Sequence, residues 1–168
     1  MSSALDIDTG GGEVISEAAT LPVKMCVTEA WPPNVQRARE LLIPRGVQVY
    51  EVSEDSPLPF SGESFELVTA RHPVNPKWSE IHRVLLPGGH YFAQHVGPAS
   101  AFELIEFFLG PRPGHRQDRN PLAEASRAEQ AGLTIKTFKR PAAAWSSTTS
   151  VQSCGSFVSA CGRFRTSP

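Results

Sequence analysis

Cysteine is scarce in this sequence: Cys26, Cys154 and Cys161 are its three, an odd number. The first residues, Met1-Ser2-Ser3-Ala4-Leu5-Asp6, have neither the charged nor the apolar region of a secretory leader. The two observations together exclude a disulfide framework and lead to the expectation of a cytoplasmic protein. Cys154 and Cys161 have no His or Cys at zinc-ligand spacing, and His90 and His95 flank a strand without it, so no metal site is expected. Cys26 lies in an apolar run and reads as a small buried residue. Long hydrophobic runs are missing too; none approaches the ~18–20 residues that span a bilayer, so no membrane partner is expected. Charge of one sign is also lacking. A net charge of −1 and the absence of an Arg-rich stripe with aromatics leave no basis for nucleic-acid binding.

What is present is a chain of 168 residues, 40% hydrophobic and 20% charged, which suits one globular domain. Strand-like and helix-like segments alternate over the first 138 residues, the pattern of an α/β domain with a mostly parallel sheet. Strands are expected to end at Leu5-Asp6-Ile7 and to run over 23–28, 47–52, 65–70, 90–96 and 133–138. Helices are expected over Glu13–Ala19, from Trp31-Pro32-Pro33-Asn34 to Pro44, around Trp78, Ile81, Val84 and Leu85, over Ala99–Leu109, and from the Asn120 N-cap and Pro121 to Gly132. In the fourth of these, Phe102, Ile105, Phe108 and Leu109 are expected to face inward. From 139 to 168 no periodicity lasts, so that stretch is expected to be an irregular or disordered tail.

The chemistry begins at Asp6-Ile7-Asp8-Thr9-Gly10-Gly11-Gly12-Glu13, a glycine cluster between a strand and a helix. Glycine lets main chain approach a ligand closely, and a helix N-terminus behind it offers free N–H groups. Glu29, near the end of the next strand, stands where an acid meets ribose hydroxyls in dinucleotide-type folds; its two oxygens can accept from two vicinal hydroxyls. A simple turn would use the same glycines.

Further motifs follow in order. The first loop resembles the acidic-x-Gly-x-Gly-x-Gly motif of class I S-adenosylmethionine-dependent methyltransferases. Thr28-Glu29-Ala30, Ser53-Glu54-Asp55-Ser56-Pro57-Leu58-Pro59-Phe60, Ser64-Phe65-Glu66-Leu67-Val68 and Glu80-Ile81-His82-Arg83-Val84-Leu85-Leu86-Pro87-Gly88-Gly89 are similar to that family's later motifs, of the methyltransferase type 11 kind. The resemblance covers residues 5–96 and extends more weakly to Phe138. It implies a Rossmann-like, mostly parallel sheet flanked by helices, S-adenosyl-L-methionine as cofactor, and methyl transfer to a small-molecule acceptor. Asp6 would organise the glycine loop near the cofactor's amino group, and Gly10, Gly11 and Gly12 would line the methionine part. Glu29 and Ala30 would meet the ribose. Glu54 falls on the adenine-contacting acid, with Asp55 able to take that place by a one-residue slip. Trp31 would either stack on adenine or cover the sheet edge. Arg71 and His72 follow the fourth strand, where substrate-side groups sit, and His72 reads as a base or as a plain loop residue. Asp8 departs from the pattern by occupying the first glycine's place. Its carboxylate would attract the sulfonium or obstruct the loop, and weakened affinity is the expectation.

Three functions are weighed: an active methyltransferase, an inactive remnant that still binds the cofactor, and a nicotinamide-dependent oxidoreductase. The last is disfavoured because the loop lacks Gly-x-Gly-x-x-Gly and gives Leu58-Pro59-Phe60 no role. The resemblance also implies that two parts of the fold are missing: the helices before the first strand and the final antiparallel strand. A permitted back-translation of 146–168, read two nucleotides on, resembles the family's Asp-Val-Gly-Ala-Val-Val-x-x-Leu-Arg segment. A frameshift between about Phe138 and Ser146 is therefore expected in the encoding DNA. Sequencing that DNA checks it; an alternative frame without the family's pattern would count against it.

Overall fold

The computed structural model describes residues 1–73, 75–96, 102–111, 120–139 and 155–162. Seven strands form one sheet: β1 (Ser3–Ile7), β2 (Lys24–Glu29), β3 (Gln48–Glu51), β4 (Phe65–Arg71), β5 (Leu85–Val96), β6 (Leu133–Lys139) and β7 (Gly155–Gly162). Their order is β3-β2-β1-β4-β5-β7-β6. The first five run parallel, and β7 lies antiparallel between β5 and β6. The helices are α1 (Glu13–Ser16), α2 (Pro32–Leu42), α3 (Trp78–Val84), α4 (Phe102–Leu109) and α5 (Pro121–Gln130).

The expectation that the final antiparallel strand is lost is corrected here. Gly155–Gly162 pairs with β5 from His90↔Cys161 to Val96↔Gly155. An antiparallel strand needs only a row of backbone N–H and C=O groups to fill, and the open side of β5 offers one. The composition of the tail, poor in periodicity, did not reveal it. The residues where the frameshift is placed, other than Phe138 and Lys139, lie outside the described ones.

The sheet is covered on both faces. Leu5, Cys26, Phe65, Val68, Ile81, Val84, Tyr91 and Ala93 pack in one layer with Ala128 and Leu133; Ala4, Met25, Val27, Ala38, Leu42 and Val47 form the other. Ala4 and Leu5 are both buried because β1, central and parallel, has no solvent side. Cys26 is buried as expected.

Local chemistry explains both ends of α5. The Asn120 side chain accepts from Leu122 N at 3.0 Å, the N-cap expected before Pro121. Gly132 closes the same helix at φ 98°. By contrast, α1 is a single turn rather than the expected helix to Ala19. The Arg45 guanidinium takes the carbonyls of Ile15, Ser16 and Ala18, fixing the chain in a non-helical path. In α4, Phe108 and Leu109 are 72% and 62% exposed, contrary to their expected inward placement. The helix is apolar around most of its circumference, so spacing could not choose a face. The side chains of Phe102 and Ile105 lie outside the described ones.

Under α3 and α5 sits a layer of buried polar side chains. Trp78 meets Tyr91 edge-on at 5.4 Å and lies 18° from parallel with His95 at 6.0 Å. Trp78 Nε1, Tyr91 Oη, His95 Nε2 and Glu124 Oε2 are buried without hydrogen-bond partners among the described residues. Burial pushes the His95 imidazole down to about 4. The unfolded chain takes up this proton near pH 6.5 and the folded chain only near pH 4, so stability is lost as the pH falls through that window. Between pH 7 and pH 4.5 the loss from this group is about 2.5 kcal/mol. Denaturant unfolding at both pH values should show His95→Phe, which keeps a stacked ring, losing less stability than the wild type by that amount. Equal losses in the two proteins would contradict it.

Candidate functional site

In an open α/β sheet the groove lies beyond the carboxyl ends of the strands, where connections leave in opposite directions. Here that point is between β1 and β4, the central pair. Asp6, at the end of β1, is buried and pairs across the sheet with Thr69 of β4, whose hydroxyl donates to Asp6 Oδ1 at 2.5 Å. Burial pushes the Asp6 carboxyl up, against the pull of that hydrogen bond.

The loop that follows turns through left-handed backbone at Asp8 (φ 55°), Gly10 (φ 66°) and Gly12 (φ 84°). The two glycines serve different purposes. A Cβ on Gly12 would stand 2.8 Å from Leu42 Cδ1, so glycine there is required by α2. A Cβ on Gly10 would meet nothing within 4 Å, so this main chain faces open space. A Cβ on Gly11 would meet the Glu13 and Arg37 side chains, which form an ion pair at 2.7 Å. The helix behind the loop spans only Glu13–Ser16, so the dipole expected from it is slight. Anchoring comes instead from β2, where Thr9 N donates to Thr28 O at 3.0 Å. The Thr9 hydroxyl is buried beside the Asp6 carboxyl and, like that of Thr69, favours its ionised form.

Glu29 is the junction. Its Oε2 accepts from Gly10 N at 2.8 Å, and its Oε1 from Ala30 N and Trp31 N at 3.0 and 2.9 Å. One carboxylate thus fastens the glycine loop to the start of α2. A carboxylate has about four acceptor positions, so three bonds leave room for one further donor, narrower than the two hydroxyls expected from sequence. Trp31 is 61% exposed, which does not suit a cover for the sheet edge and leaves its ring free as a surface.

Glu54 and Asp55 lie in the turn closed by Ser56 N to Ser53 O at 3.0 Å. Of the two, Glu54 is the one whose charge acts on Asp8. Partial burial, then Glu29 and Glu54, push the Asp8 carboxyl up, while Lys77 opposes. Lys77 spans the mouth, its Nζ donating to Ser56 O at 2.5 Å. Arg71 and His72 are exposed at the end of β4, one rung beyond Ala70, which pairs with Ile7. His72 adopts φ 56° and donates its N–H to Gln94 O at 2.7 Å. Partial burial, followed by the Arg71 charge, lowers its basicity. The structure therefore brings Asp6, Asp8, Gly10, Glu29, Glu54, Arg71 and His72 to one edge of the sheet.

Sequence reasoning quoted Leu58-Pro59-Phe60 and Glu80-x-x-Arg83 without seeing that they are one device. Arg83 donates to Phe60 O and Leu58 O at 2.7 and 3.0 Å and to both Glu80 oxygens at 2.7 Å; Glu80 Oε2 also accepts from Leu58 N at 2.8 Å. The i,i+3 spacing of Glu80 and Arg83 was the available signal. Lys77 gave none. Among the described residues no three His, Cys, Asp or Glu side chains converge to hold a metal ion.

A family described as a methyltransferase domain matches residues 5–93, more than half of the chain. The chain belongs to that family. No curated protein matches it in sequence. Its fold is similar to that of a presumed methyltransferase from Bacillus halodurans (TM-score 0.61, 22% identity, 82% of this chain), of which it spans 64%. It is similar also to an S-adenosylmethionine-dependent methyltransferase from Aquifex aeolicus (TM-score 0.67, 18% identity, 95% of this chain and 81% of the other). The 4+2 cyclase SpnF matches equally well (TM-score 0.65, 18% identity, 97% and 76%). Family and fold imply S-adenosyl-L-methionine as the cofactor. The bare main chain at Gly10 and the spare acceptor position on Glu29 are features this ligand can use.

The clamp gives a direct test. Arg83→Ala strands Glu80 and two loop carbonyls and should cost about 2 kcal/mol, discounted for partial exposure. Arg83→Lys, with no planar fork, should recover less than half in denaturant unfolding. Full recovery by lysine would show that the fork does not hold the loop.

Proposed function

We propose that this methyltransferase domain transfers a methyl group from S-adenosyl-L-methionine to a small-molecule acceptor. The observation that carries the reading is the Glu29 carboxylate at 2.8 Å from Gly10 N, beside main chain with open space above it. In this reading Glu29 and Ala30 receive the ribose, Trp31 and Glu54, with Asp55 beside it, flank the adenine, and Asp6, Gly10, Gly11 and Gly12 frame the methionine end. The bound cofactor supplies an already activated methyl group. The chain's task is then to hold the acceptor in line and keep water out. His72, kept neutral, takes the proton of an acceptor nucleophile that carries one, and Arg71 steadies an anionic acceptor. The cytoplasmic setting expected from the sequence belongs to this reading.

The fold alone does not decide the reaction, since a cyclase shares it. Calorimetric titration of the purified chain decides the first step. S-adenosylhomocysteine should bind with one-to-one stoichiometry, a nicotinamide cofactor should not, and Glu29→Gln should weaken binding about tenfold, the size of one charge-assisted hydrogen bond. Failure of the wild type to bind would overturn the reading. Binding without a methylated product from any of a panel of acceptors would support the inactive remnant instead.

A further inference from the structure

We propose that Asp8 is a charge-discriminating residue of the cofactor cleft, favouring the cationic sulfonium donor over its neutral thioether product; this rests on the cofactor reading above. The argument begins with where charge collects. The whole chain carries a net charge of −1, yet the carboxyl edge of β1, β2 and β3 gathers Asp6, Asp8, Glu29 and Glu54. Among the described residues none of Asp8, Glu29 and Glu54 forms an ion pair with a cation. Lys77 acts on Asp8 only at a distance, with its ammonium hydrogen-bonded to Ser56 O. Arg71 acts on Asp6 and Glu13.

The position of Asp8 is specific. At φ 55° it holds a conformation open to few side chains, one that Asp and Asn tolerate best. Its residue is exposed at the mouth two positions before the bare Gly10 main chain, and the charges of Glu29 and Glu54 both reach its carboxyl. Like charges crowded in the groove repel one another, and a cation entering there relieves them. Methyl transfer removes one positive charge from the cofactor. The product keeps its ammonium group but has lost the sulfonium charge that Asp8 would favour, so an Asp at this position favours product release.

The experiment is calorimetric titration of the wild type, Asp8→Asn and Asp8→Gly with three probes: S-adenosylmethionine, S-adenosylhomocysteine, and sinefungin, in which a protonated amine replaces the sulfonium. Asn keeps the shape and tolerates the backbone angle, and Gly relieves it, so both variants should fold, as circular dichroism will check. The ratio of S-adenosylmethionine to S-adenosylhomocysteine affinity should fall about fivefold in both variants, the effect of a unit charge a few ångströms away in a water-exposed site. Sinefungin should follow S-adenosylmethionine, and added salt should shrink the wild-type preference. A ratio unchanged within about twofold, a parallel loss of all three ligands, or sinefungin behaving as the thioether does would each overturn the inference. Absence of any binding to the wild type would instead overturn the cofactor reading beneath it.

Discussion

Three backbone N–H groups converge on the Glu29 carboxylate, and the shape of the groove depends on them. A glycine-rich loop has the widest backbone freedom of any segment, and α1 behind it is only one turn long. Helical structure therefore cannot fix the loop. Glu29 does so from the neighbouring strand, accepting from Gly10 N on one oxygen and from Ala30 N and Trp31 N on the other. Hydrogen bonds to an ionised acceptor are the stronger kind, and a partly buried position spares them competition from water. The residue proposed to receive the ribose is thus also the residue that builds the loop.

The second constraint lies across the mouth. Arg83 and Glu80, one turn apart on α3, hold the Leu58-Pro59-Phe60 segment by its main-chain groups. Phe60 in turn meets Tyr50 at 4.9 Å and Phe65 at 5.0 Å, so the loop that carries Glu54 is tied to β3 and β4. Polar groups set the loop's path and aromatic contacts set its depth. Both act on the segment that follows Glu54 in the chain.

Much of this was legible from residues. Alternating apolar runs placed β1 to β4 and β6 to within a residue or two, because a doubly covered sheet leaves little freedom in which residues are buried; β5 instead begins at Leu85, expected in the helix, and takes in Pro87-Gly88-Gly89, expected as a turn. Asn120-Pro121 and Gly132 bounded α5 through local capping chemistry alone. What escaped the sequence depends on distant partners. Gly12 is glycine because Leu42, thirty residues on, occupies the space, and α1 stops early because Arg45 takes its carbonyls. The α4 face was undetermined because the helix is apolar nearly all round. Strand β7 was missed because antiparallel pairing is specified by an open neighbour more than by its own residues. At the site, sequence found the acids but not their arrangement, since nothing local says that Glu29 reaches back to Gly10.

The departure at Asp8 shows how a family pattern and a physical argument divide the work. The pattern marks a left-handed position and supplies glycine as its usual solution. The observed φ of 55° shows that the backbone keeps that conformation with a side chain in place, so the substitution changes charge more than shape. In a groove already bordered by Asp6, Glu29 and Glu54, one more carboxylate raises the cost of leaving the site empty and lowers the cost of admitting a cation. Asp8 lies in the loop beyond β1, outside the residues that pack either face of the sheet, so a substitution there changes the charge that meets a ligand and leaves that packing untouched.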